Sequence, residues 1–169
     1  MPDPFELLGV EPRFDLDPKA LERRHLQLAR ELHPDHQDSP EASARVLQQS
    51  ADANDAYRLL KNPWKRARAL IERLDASAIE RNQKPEPAFL MEVMEIRERI
   101  EDLAQSDEAS ARSELEERID GYLRLLGEAL AIPPASTDLS SSAIDQAARL
   151  LHDAGYFRQA LARLDGDLD

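Results

Sequence analysis

The chain has 169 residues, of which 41% are hydrophobic and 5% aromatic; it contains no cysteine and carries a formal net charge of -12. That length and apolar share suit one domain or two small ones, and the missing thiols exclude a disulfide framework, a thiolate metal site and a cysteine nucleophile. The charge is uneven, with 12 Lys and Arg against 14 Asp and Glu in residues 1–75 and 10 against 20 in residues 76–169, so the halves carry -2 and -10. An acidic chain without a long basic run is a poor general binder of phosphate backbones, which argues against nucleic acid as a partner.

Sparse glycine and the lack of any alternating β-branched run point to an all-α protein. Asp3-Pro4, Asp17-Pro18, Ser39-Pro40 and Asn62-Pro63 each place a capping residue before a proline at a first helical position. These pairs divide residues 1–75 into four helices, the first a short one from Pro4 to Gly9. In the second, Leu21, His25, Leu28 and Leu32 fall on one face, the expected buried one, and Lys19, Arg23 and Arg30 form a basic stripe roughly opposite. Pro34 should end that helix at His33, leaving His33-Pro34-Asp35 on a loop. Val46, Ser50, Ala53, Tyr57 and Leu60 mark a third helix that returns along the second as a hairpin.

Residues 76–87, ending in Lys84-Pro85-Glu86-Pro87, lose periodicity and read as a linker. A long helix then starts near Ala88, with Phe89, Val93, Ile96, Ile100 and Leu103 on one face. Another starts near Ser106–Glu108, runs through Leu115, Ile119, Tyr122, Leu123 and Leu126, and closes by Ile132 before Pro133-Pro134. The last opens with Ser142 and Asp145 as an acidic capping box, and continues through Ile144, Ala148, Leu151, Phe157, Leu161 and Leu164 past Gly155. Residues 88–169 therefore read as a three-helix bundle.

No catalytic constellation emerges. There is no glycine-rich phosphate loop, no GxSxG and no HExxH, and the proline between His33 and His36 opposes two ligands on one helical face. Neither a metal nor a cofactor is expected. No segment reaches membrane-spanning length, and residues 1–10 lack the basic-then-apolar pattern of a secretory signal, so the expected setting is the cytoplasm. The unusual feature is the helix from Ala88. Its core stripe is complete, yet Leu90, Met91 and Met94 project from the opposite side beside Glu95, Glu98 and Asp102. Either they pack under another element of the chain, or they form an exposed apolar patch with an acidic margin, the pattern of a protein-binding face.

These residues together resemble the HscB-type J-domain co-chaperones of iron-sulfur cluster assembly. The resemblance runs through Phe5-Glu6-Leu7-Leu8-Gly9, Phe14-Asp15-Leu16-Asp17, His33-Pro34-Asp35, Gln48-Gln49-Ser50-Ala51 with Asn54, Ala56 and Tyr57, and Phe89-Leu90-Met91-Glu92 with Glu95. It departs at His36 and Gln37, where the family usually has a basic residue followed often by an aromatic one. The resemblance implies an L-shaped molecule, with a J domain over 1–75 and a scaffold-binding domain over 88–169. His33, Pro34 and Asp35 would dock with Lys19, Arg23 and Arg30 on a dedicated Hsp70 of the HscA type and stimulate its ATPase. Leu90, Met91, Met94, Glu95, Glu98 and Asp102, with Tyr156 from the last helix, would bind a scaffold of the IscU type. Two other readings stay open: an adaptor for a general Hsp70 with other clients, and a metal-assisted hydrolase using His33 and His36.

Overall fold

A computed structural model describes residues 2–32, 40–131 and 139–166, the side chains of 40–43 excepted. The described residues form eight helices and no strand: α1 (Pro4–Leu8), α2 (Pro18–Glu31), α3 (Pro40–Lys61), α4 (Pro63–Leu74), α5 (Ala78–Arg81), α6 (Pro87–Ser106), α7 (Glu108–Ala129) and α8 (Ser141–Leu164). They divide into two compact units, Met1–Arg73 and Leu74–Asp169.

In the first unit the cap-proline pairs act as their chemistry suggests. Asp3 accepts from the Phe5 and Glu6 amides, Asp17 from Lys19, and Asn62 from Trp64 and Lys65, each satisfying donors that a helix start leaves open. The Ser39 cap lies outside the described residues. Gly9 ends α1 with φ +60°, and a Cβ there would come within 2.9 Å of the Arg24 guanidinium, which donates to the Leu8 carbonyl. Both the left-handed backbone and the close arginine therefore require glycine.

Phe5, Leu8, Leu21, Val46, Ala53, Ala56, Leu60, Leu70 and Ile71 form the core of this unit. On the expected buried face of α2, His25 takes the place of an aromatic residue. Its ring stacks on Tyr57 at 4.2 Å, and its Nε2 donates to Asn54 Oδ1 at 2.8 Å. The alanines of α3 let the hairpin close, because small side chains allow two helix axes to approach.

The second unit differs from expectation at two places. Residues 76–87, read above as a linker, carry α5, which is tied to the start of α8 by a polar network. Arg81 donates to Asp145 at 2.6 Å and to Asp75 at 2.9 Å, and the buried Asn82 amide donates to Asp145 and to the Ala78 carbonyl, both at 2.8 Å. Arg149 Nη1 reaches Asn82 Oδ1 at 3.3 Å. Ser140, not Ser142, caps α8 by accepting from the Ala143 amide, so Asp145 lies two residues past the position that would complete a capping box. α8 nonetheless runs unbroken through Gly155.

Hydrogen bonds from Arg81 and Ser77 hold the Asp75 carboxyl down to about 2, and Arg81 and Asn82 lower that of Asp145. Both groups are more acidic folded than unfolded, so their contribution is complete above the ordinary range near 3.8 and is lost as the pH falls below it, for Asp75 down to about 2. Arg81→Met should melt below wild type at pH 7, and thermal melts should show that gap closing between pH 4 and pH 2. A gap independent of pH would mean that Arg81 contributes through its stem alone.

Candidate functional site: two protein-binding surfaces

On α2, Lys19, Arg23 and Arg30 are all exposed. Arg23 approaches Asp17 at 3.7 Å, a pairing between two solvated side chains that costs little to exchange for another partner. Leu32 closes α2 by donating its amide to the Leu28 carbonyl. His33, Pro34 and Asp35 follow it directly but lie outside the described residues, as do His36 and Gln37.

The second surface lies on α6. Ile96 and Ile100 are buried against the rest of the unit, with Phe89, Val93 and Leu103 half-buried beside them. On the far side Leu90, Met91 and Met94 are 39%, 65% and 71% exposed, and Glu95, Glu98 and Asp102 are exposed with them. None of the three is buried under another helix of its own unit. Met91, Met94, Glu95, Arg97, Glu98 and Glu101 line a shallow depression along it. Arg97 donates to Glu101 at 2.7 Å across one helical turn. Their i, i+4 spacing is the sequence signal for this pair, which the periodicity of the apolar residues does not bring out.

Between α6 and α8 runs an apolar groove of about 440 Å³, with Val93, Ile96, Ile100, Phe157, Ala160 and Leu164 along it. Tyr156 stands at this groove, not on the ridge. Its half-buried ring meets Phe89 edge-on at 5.6 Å and His152 at 5.5 Å. Beneath it Phe157 is buried, stacked on Tyr122 at 5.6 Å and edge-on to Phe89 at 6.1 Å. Burial pushes the Tyr122 hydroxyl up to about 12 and raises the Asp153 carboxyl, so Tyr122 stays neutral at any physiological pH.

Among the described residues no group of three or more His, Cys, Asp or Glu side chains is placed to hold a metal ion. Nor is any described helix long and apolar enough to cross a membrane. The described surfaces are a solvated cationic stripe on one unit and, on the other, an exposed apolar ridge with an acidic edge, a pattern common to protein-binding faces.

Residues 85–165 match the family profile described as the HSCB C-terminal oligomerisation domain. A Bordetella petrii protein named co-chaperone protein HscB homolog is 38% identical over 132 residues, covering 76% of each chain. A Bordetella pertussis protein of the same name is 41% identical over 120 residues, covering 68% of this chain and 71% of that one. Among solved structures, the chaperone HscB from Vibrio cholerae superposes with a TM-score of 0.72 at 26% identity, covering 98% of this chain and 96% of that one.

Proposed function

This chain belongs to the HscB family of co-chaperones, and from that premise we propose that it binds an iron-sulfur scaffold protein of the IscU type and delivers it to a dedicated Hsp70 of the HscA type. Residues 1–75 are the J domain, nearly all of it in the first unit, and residues 88–169 are the scaffold-binding domain. His33, Pro34 and Asp35, with Lys19, Arg23 and Arg30, dock on the Hsp70 and stimulate its ATP hydrolysis in the cytoplasm. Leu90, Met91, Met94, Glu95, Glu98 and Asp102 hold the scaffold, with Tyr156 contributing from α8. The chain catalyses nothing itself; it regulates a partner's ATPase.

The observation that carries this reading is the α6 ridge: three large apolar side chains in water on a helix whose core stripe is already complete. Such side chains gain by being covered, and the acidic margin selects a partner with a basic rim. The test uses purified partners. Calorimetry should give saturable scaffold binding, and single-turnover ATPase assays should show stimulation of the HscA-type Hsp70 well above that of a general Hsp70. Stimulation of the general Hsp70 alone, without scaffold binding, would replace this reading with that of an adaptor for other clients.

The basic stripe makes a separate prediction. Cationic residues facing an acidic docking surface speed encounter at low ionic strength and lose that effect as salt screens them. Reversing Arg23 and Arg30 to Glu should slow association with the Hsp70 by about tenfold at low salt, with the difference shrinking at high salt. Equal on-rates at low salt would identify the stripe as solvated surface.

A further inference from the structure

Helix α6 is held unevenly. On the flank facing α7, Arg118 Nη1 donates to Glu92 Oε1 at 2.7 Å and Arg99 pairs with Glu114. These two grips stand two helical turns apart on one side of α6. The flank facing α8 borders the apolar groove of about 440 Å³. Buried Ile96 and Ile100 fix the face that α6 turns inward, and with a groove on one flank, the grips on the other fine-tune its rotation about its own axis.

Arg118 is the better anchored of the two. Its guanidinium lies 5.2 Å from the centre of the buried Phe157 ring, and its side chain is only 30% exposed. A guanidinium held over an aromatic face is attracted to it and presents its donors in a planar fork, so less freedom is lost when it holds a carboxylate. Arg118 thus joins three helices at one point, since it belongs to α7, covers a ring of α8 and grips Glu92 of α6. On the α6 wheel, where each residue advances about 100°, Leu90 and Met94 lie about 160° from Glu92 on either side. A turn of α6 about its axis that broke the grip would carry the ridge with it.

We infer that Arg118 is a positioning residue for the scaffold-binding face: acting through Glu92, it fixes the rotation at which α6 presents Leu90, Met91 and Met94. The identity of the partner rests on the function proposed above, but the geometry does not. Two of the chain's three methionines sit on this ridge, so methyl-labelled methionine gives a readout independent of binding. Arg118→Leu and Glu92→Gln should each move the Met91 and Met94 methyl signals and lower scaffold affinity about fivefold, a size common for residues that act without touching the ligand.

Arg118→Lys, which keeps the charge but not the fork, should fall between Arg118→Leu and wild type. The control is Arg112→Leu, which removes the Arg112 pairs with Glu108 and Asp165 and leaves α6 untouched. It should cost thermal stability while leaving the methyl signals and the affinity as they are. Unmoved methyl signals in folded Arg118→Leu, or unchanged affinity where wild type binds the scaffold, would overturn the inference. If wild type binds no scaffold at all, the proposed function fails, and the methyl signals alone decide whether Arg118 positions α6.

Discussion

Replacing Leu90, Met91 and Met94 together by alanine is expected to abolish scaffold binding and to leave J-domain stimulation of the Hsp70 intact. All three side chains are solvated on a helix whose opposite face supplies the core, and leucine and methionine exceed alanine in neither helix propensity nor, here, burial. Unfolding free energy should therefore change little. At the centre of an interface, by contrast, truncating a desolvated apolar anchor costs about 2 kcal/mol or more, roughly thirtyfold in affinity for each residue. Calorimetry on the triple variant checks the first part, and an unchanged scaffold affinity would remove the ridge as the site. A melting temperature lowered by more than about 10 °C would instead place these side chains in a core.

Asp35→Asn is expected to reduce Hsp70 stimulation to the unstimulated rate. The substitution keeps the size of the side chain and removes only its charge, and the sequence leads us to expect Asp35 on a loop, because Pro34 ends the preceding helix. Changes outside a packed core usually shift stability by no more than about 0.5 kcal/mol, so circular dichroism and melting should stay near wild type. Scaffold affinity should also be unchanged, because the ridge lies in the other unit. Full stimulation by the variant in a single-turnover assay would remove the His33-Pro34-Asp35 segment from the docking role.

The two sets of substitutions are expected to act on different units. Helix starts were legible in the sequence where the signal was local. Asp3, Asp17 and Asn62 announce their helices because a cap and a following proline act within one turn, and the α6 ridge stands out because periodicity shows the core stripe complete without it. What sequence could not supply was contact across the chain. Four residues of α5 are too few to form a helix on their own; Arg81 and Asn82 hold α5 by reaching Asp145, more than sixty residues away. The cap of α8 is one of three consecutive serines, which local sequence alone does not rank, and with Ser140 as the cap Asp145 falls outside the capping-box position. Arg118 is likewise unremarkable in sequence, since nothing near it signals Glu92 or Phe157 as partners. Tyr156 is one residue from the buried Phe157, and wheel arguments near Gly155 do not assign it to the groove.

The most direct test of the central proposal, that one chain couples scaffold binding to an Hsp70 ATPase, is a scaffold titration in a single-turnover Hsp70 assay with and without this protein. Tethering the scaffold near the Hsp70 raises its effective concentration, so the half-maximal scaffold concentration should fall by at least about tenfold. The Leu90, Met91 and Met94 triple variant should abolish that shift while still raising the basal rate. A half-maximal concentration that does not move when wild-type protein is added would contradict the account.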